Sequence, residues 1–341
     1  MKKFLLKLFS YIIVFTLIYI IIKNIDFIEV YKHIKYANHT YLIISFLIIS
    51  IGFLLWALRW NIIIKQLKKV NYLTMFPIFL TGLLINTITP SGRMGGEPIK
   101  TYYLAKRYKL SRSKAFATTI ADKIYNLIIF FALCSFSILF IAFNTHINFY
   151  IKIILVILPS LVALILIFPI IAIFNNKLRT FLTNKILPLV YKFYLFKTFL
   201  NKFESYDHLK SYVVKKLDKF LRFLKKVLRN KKITAKCITI TILFWICTYL
   251  SVYFIFLSLG QKISIIPIII VVTLSLLFGD ISFLPGGIGL IEGLMIVLYL
   301  TFGINPDIAI VVTVLTRIMF YFYALGLGTL SFLYLTLKII W

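Results

Sequence analysis

The chain has 341 residues, 61% of them hydrophobic, with a mean hydropathy of +0.98 and a formal net charge of +29. That apolar content excludes an ordinary soluble domain, and several apolar runs reach about 20 residues, long enough to cross a bilayer as helix. The charge argues against a nucleic-acid surface by its placement: 17 of the 39 Lys and Arg lie between Lys177 and Lys236, and many others sit in short loops between apolar runs. This bias matches the positive-inside rule and an anionic membrane surface.

The first apolar run, Phe4 to Ile22, follows Lys2 and Lys3 and has no small-residue cleavage site, so it reads as a retained span. A second span runs from Tyr41 to Ile64. Its end carries Trp56, Arg59 and Trp60, which read as an interfacial belt before Lys65, Lys68 and Lys69. The N-terminus and this loop are then cytoplasmic. Leu73 to Pro90 is apolar, the Gly-rich stretch Pro90-Ser91-Gly92-Arg93-Met94-Gly95-Gly96-Glu97 breaks it, and Glu97 to Lys114 is basic. If 73 to 90 crossed and stayed across, both this basic stretch and the basic region 175–235 would lie outside, because 115–143 and 149–174 cross out and back. Residues 73 to 114 are therefore expected to form a re-entrant hairpin on the cytoplasmic side.

Within 197 to 232, Leu209, Val213, Leu217, Phe220, Leu224 and Leu228 recur at three- and four-residue steps among Lys and Arg. This is the pattern of a basic amphipathic helix on the cytoplasmic leaflet. It reads equally as a solvated cap or as a collector of anionic lipid. Residues 236 to 259 then cross outward, a second hairpin occupies 263 to 303, and a last span, 306 to 334, returns to the cytoplasm.

The second hairpin contains Pro285-Gly286-Gly287-Ile288-Gly289-Leu290-Ile291-Glu292, an echo of the first break with Glu again seven positions after Pro. At the same interval Asp122 falls on Arg317, and with a one-residue gap Lys123 does. Such self-similarity marks an internal repeat. The expected fold is an all-α polytopic membrane protein of about six full spans plus two re-entrant hairpins arranged as an inverted repeat. It forms a single transmembrane domain over 1–341, with a first repeat over 73–143 and a second over 263–334.

Glu97, Asp122, Asp280 and Glu292 are acids in or beside these apolar segments, where an ionised group costs about 2.5 to 3.5 kcal/mol on insertion scales and calls for a partner or a wet cavity. Arg93, Lys123 and Arg317 are the candidate partners. Either the charges lock the hairpins by pairing, or the cations receive a phosphate, which Arg clamps bidentately. Backbone amides after the Pro90, Gly92, Gly95, Gly96 break and the Pro285, Gly286, Gly287, Gly289 break would then add to the site. Asn86, Thr87, Thr89 and Ser282 can bond a headgroup or satisfy backbone groups freed at the breaks. The first break lacks the Lys-Ser/Thr pair of a nucleotide-binding loop. Cys134, Cys237 and Cys247 read as small core residues, the four His share no ligand spacing, and neither a metal nor a cofactor is expected.

The run from Asn86 through Glu97 into Lys100-Thr101-Tyr102-Tyr103-Leu104-Ala105, then Ala121-Asp122-Lys123, and later Leu284 through Gly293 with Arg317, resembles the lysylphosphatidylglycerol synthase transmembrane-region family of flippase-like proteins. The resemblance implies a multi-pass domain that, in multiple peptide resistance factor proteins, moves aminoacylated phosphatidylglycerol between leaflets. In some archaeal relatives it is fused to a glycosyltransferase acting on lipid-linked sugar. Glu97, Asp122, Glu292 and Arg317 match the family's charged positions. The family often has an apolar residue where Arg93 stands and Arg where Lys123 stands. The chain ends at Trp341 directly after the last span, without the soluble synthase domain, so synthesis of lysyl-lipid is not expected. The resulting expectation is a cell-membrane translocator of an anionic phospholipid or lipid-linked glycan, both termini cytoplasmic. The alternatives are a partner subunit of a separate synthase or glycosyltransferase, and an integral-membrane transferase with Glu97 or Asp122 as general base.

Overall fold

The structure, a computed structural model, describes residues 31–33, 35–90, 94–144, 206–282 and 284–340, with positions 181, 184, 185 and 188. The expected spans Phe4 to Ile22 and 149–174 lie outside the described residues, as do Gly92 and Arg93. Everything regular in the described residues is helical: α1 His39–Ile64, α2 Tyr72–Ile88, α3 Gly96–Tyr108, α4 Arg112–Asn144, α5 Tyr206–Arg229, α6 Lys231–Ser258, α7 Ile265–Ile281, α8 Leu290–Thr301, α9 Pro306–Tyr321 and α10 Gly328–Ile340. A 3-10 turn at Pro285–Gly287 precedes α8, and a π-helical turn at Phe322–Leu327 joins α9 to α10.

Among the described residues, four helices are long and apolar enough to cross a membrane: α1, α4, α6 and the composite Pro306–Lys338. α2 and α7 are shorter and have 17 residues each. At 1.5 Å per residue they reach about 26 Å, short of a hydrocarbon core of about 30 Å. Side-chain oxygens open several helices: Asn71 Oδ1 accepts from Leu73 N at 2.9 Å before α2, and Ser264 Oγ accepts from Ile266 N at 3.4 Å before α7. Such caps satisfy amides that have no preceding turn.

α1 and α6 run antiparallel along most of their lengths. Asn38 N donates to Ser258 O at 2.7 Å, Ser45 Oγ to Ser251 O at 2.8 Å and Arg59 Nη1 to Thr241 Oγ1 at 2.8 Å, so one chain ascends as the other descends. Small residues make the approach close: a Cβ on Gly52 would lie 3.2 Å from that of Cys247. In lipid, where apolar surface gains little by leaving the bilayer, such packing and buried hydroxyl contacts hold helices together.

Each of these helices leads into a hairpin. α2 and α3 return to the end where they began, since Thr74 Oγ1 lies 2.5 Å from Tyr108 Oη and Lys68 Nζ donates to Tyr108 O at 3.0 Å. α7 and α8 do likewise, with Ile266 and Phe302 in one apolar cluster. The antiparallel α1 and α6 place the two hairpin bases at opposite ends of the molecule. The hairpins also exchange neighbours. α2 lies against α10, where a Cβ on Gly328 would sit 2.9 Å from Leu84 Cβ, and α7 lies against α4, where Ile138 meets Ile270 and Leu274.

Glycine is needed inside the first hairpin because a Cβ on Gly96 would fall 2.0 Å from the Gly82 carbonyl oxygen, too close for any side chain. Gly96→Ala is therefore expected to separate α2 from α3 and cost 3 kcal/mol or more, above the ~1–3 kcal/mol of ordinary overpacking. Yield and monodispersity in detergent measure this. Gly326→Ala, where nothing lies within 4 Å, should behave as wild type.

The basic amphipathic segment is helical over Tyr206–Arg229, with Leu209, Leu221, Phe223, Leu224 and Val227 buried against α4 and α6. α3 ends where Lys109 takes a left-handed φ of 52°, and α4 starts anew at Arg112. One expectation is corrected. Arg59 and Trp60 do not form an interfacial belt; both are fully buried, Trp60 donating through Nε1 to Thr118 Oγ1 at 3.2 Å.

Candidate functional site

Among the described residues, three ion pairs, two buried and one half-buried, organise the charged residues that the sequence singles out. In the first hairpin, Glu97 stands in the opening turn of α3, and its Oε2 lies 2.8 Å from Lys100 Nζ, an ion pair rather than an aligned hydrogen bond. The Lys100 stem passes over Gly82, where any Cβ would collide at 2.4 Å, and its ammonium faces the Trp60 ring with 5.2 Å to the centroid. Asn86 Oδ1 accepts from Gly96 N at 2.7 Å and so ties the end of α2 to the start of α3.

The second pair joins Asp122 of α4 to Arg59 of α1. Arg59 Nε donates to Asp122 Oδ1 at 2.7 Å, Nη1 goes to Thr241 of α6, and Trp56 Nε1 donates to Asp122 Oδ2 at 3.4 Å. Arg59 is 0% exposed and its Nη2 has no hydrogen-bond partner. The third pair fastens the second break. Glu292 Oε2 accepts from Gly289 N at 2.7 Å, closing the first turn of α8, while Oε1 accepts from Arg317 Nε at 2.5 Å. Arg317 Nη2 donates to Gly286 O at 3.0 Å and to Tyr321 Oη at 2.6 Å, and its guanidinium stacks on the Tyr321 ring at 4.7 Å. A single guanidinium thus reads the Glu, the bent backbone and an aromatic face together, which an ammonium has no geometry to do.

The tips of the two hairpins touch. Gly286 has φ +60°, and a Cβ there would lie 3.1 Å from Thr87 Cγ2 and 3.2 Å from Thr87 O, in the last turn of α2. The Glu292–Arg317 pair is therefore one residue shell from the first hairpin. Thr87, Thr89 and Ser282 bond carbonyls of their own helices, Leu83 at 2.9 Å, Ile85 at 2.6 Å and Gly279 at 2.8 Å. Backbone satisfaction is their visible role.

Of the candidate residues, the structure brings Glu292, Arg317, Gly286 and Gly289 into one cluster. Glu97 and Asp122 go to separate pairs, with cations from Lys100 and Arg59. Lys123 and Asp280 are half-buried, and neither is without a partner. Sequence reasoning missed both partner cations. Lys100 was findable, three residues after Glu97 on the same helix face. Among the described residues, no three His, Cys, Asp or Glu side chains come together as a metal would require.

The model of the family described as the lysylphosphatidylglycerol synthase transmembrane region matches residues 7–328. The chain belongs to that family. Three archaeal relatives, each described as a UPF0104 membrane protein, are similar along nearly their full length. One from Methanothermobacter thermautotrophicus is 30% identical over 90% of this chain and 88% of its own. One from Pyrococcus horikoshii is 30% identical over 96% of both, and one from Methanocaldococcus jannaschii is 29% identical over 94% and 93%. With the long apolar helices, the family membership makes the chain an integral, multi-pass membrane protein.

Proposed function

We propose that this family member moves an anionic phospholipid or lipid-linked glycan between leaflets, its headgroup passing where the two hairpin tips meet while the acyl chains stay in lipid. In this reading the hairpins are re-entrant, one from each side, the repeats are related by a two-fold axis in the membrane plane, and both termini are cytoplasmic. The observation that carries it is the Thr87–Gly286 contact beside the Glu292–Arg317 pair. A buried guanidinium beside bent backbone, where the two tips meet, is the kind of group that receives a phosphate headgroup at membrane depth. The antiparallel α1 and α6, and hairpin bases at opposite ends, support the inverted arrangement. In this reading the two tips approach each other from opposite leaflets.

The test is transbilayer movement of labelled anionic phospholipids and lipid-linked sugar phosphates in vesicles holding the purified chain. Wild type should move one of them, and Glu97→Gln and Glu292→Gln should slow it about 10- to 100-fold, the equivalent of one charge-assisted hydrogen bond. A well-folded wild type that moves none of these lipids overturns the reading. Unchanged movement in both variants removes the site from the hairpins.

A further inference from the structure

The last span has an irregular turn directly beside the Glu292–Arg317 pair. α9 and α10 are joined through the π-helical Phe322–Leu327, after which Gly328 N reaches back five residues to Tyr323 O. At the start of the turn Phe322 N still bonds Ile318 O, four residues back. A π-turn holds one residue more than an α-helix of the same length, and such turns recur at functional sites. The surplus residue can pass along a helix. Each residue that it passes exchanges one backbone hydrogen bond for another and turns about 100° around the axis, while the helix on either side stays seated.

Packing decides which way it can pass. Toward α10 the way is closed: a Cβ on Gly328 would lie 2.9 Å from Leu84 Cβ and 3.1 Å from Leu80 O, so turning the helix there would drive a neighbouring side chain into α2. Tyr323 adds to this anchor, donating to Ser50 Oγ of α1 and stacking on Phe53 at 4.3 Å. Toward α9 the way is open as far as Val314. From Val314 to Phe322 only Arg317 is buried, and Val314, Ile318 and Phe322 are exposed. Ahead of them every residue from Ile308 to Thr313 is buried, which fixes the far end. The segment between these anchors carries Arg317 and Tyr321. They stand four apart and turn together, so Arg317 keeps its bond to Tyr321 Oη and loses those to Glu292 and the Gly286 carbonyl.

We propose that Phe322–Leu327 is a hinge: its passage into the end of α9 swings Arg317 off Glu292 and Gly286 and releases the second hairpin tip, while α10 stays on α2. The seated and turned positions are two discrete arrangements of one helix, and whatever competes for Arg317 or replaces Glu292 shifts the balance between them. That the swing gates lipid movement rests on the proposed function; the hinge itself stands without it.

The experiment measures distances by electron spin resonance in the full chain in detergent, with Cys134, Cys237 and Cys247 replaced by Ala. One spin label sits on Ile318→Cys in the turning segment. The other sits on Leu47→Cys of α1, at the same level because Ser45 Oγ meets Met319 Sδ at 3.4 Å. Both positions are more than half exposed and accept a label without repacking. A 100° turn carries a side chain at the edge of a helix 10–12 Å across by about 8 Å. Wild type is expected to give one dominant distance, and Glu292→Gln to raise the share of a second about tenfold, the loss of one charge-assisted hydrogen bond. Deleting Gly326, which has nothing within 4 Å, removes the surplus residue and should abolish the second distance even with Glu292→Gln. A single distance in both wild type and Glu292→Gln overturns the hinge, whether or not the deletion variant folds, and so does a second distance that survives the deletion. A second distance in a chain that moves no lipid keeps the hinge and overturns the proposed function. Lipid movement with one distance throughout overturns the hinge alone.

Discussion

Asp122→Leu is expected to destabilise the protein by about 3 to 5 kcal/mol, and Arg59→Met by a similar amount, because each leaves the other charge buried and unpaired. The environment makes this severe: Arg59 is 0% and the Asp122 side chain 4% exposed, and one guanidinium nitrogen already lacks a partner. The double variant Arg59→Met with Asp122→Leu should recover most of the loss, since a packed apolar pair replaces a buried ion pair at little cost. Denaturant unfolding in detergent measures all three. Equal losses that simply add would mean the two side chains do not depend on each other. The recovered double variant then separates roles that the single changes confound: if it is stable and still moves lipid, the pair is a structural rivet between α1, α4 and α6.

Arg317→Gln is expected to cost about 2 to 4 kcal/mol, below the range for a fully buried pair because the Glu292 side chain keeps 24% exposure. It releases three anchors at once: Glu292, the Gly286 carbonyl and the Tyr321 hydroxyl. Arg317→Lys restores the charge but has no fork to hold Glu292 and Gly286 together, so it should regain part of the stability and, under the proposed function, little of the transport. Unfolding and the vesicle assay on the same preparations check this pair of outcomes. Full transport by Arg317→Lys would mean that charge alone suffices at the tip.

Residue types made the helices and the breaks legible. Apolar runs bounded by Lys-rich loops located α1, α4 and α6 to within a few residues, and Pro with adjacent glycines marked where α2 and α7 stop. The spacing of Leu209, Leu217 and Leu224 against Lys and Arg located α5. What stayed hidden depends on contacts between distant segments. Arg59 sits between two Trp near a helix end, a pattern that belongs to the membrane surface. Only the packing of α4 and α6 turns Asp122 and Thr241 toward it and makes it interior. The π-helical turn at Phe322–Leu327 left no sign either, because the apolar pattern of the last span continues through it.

The exchange of neighbours between hairpins has a consequence for assembly. α2 is covered by α10 and α7 by α4, so each half of the molecule supplies a cover for a short helix of the other. Among the described residues, the packing of each hairpin is therefore complete only once the other half of the chain is in place.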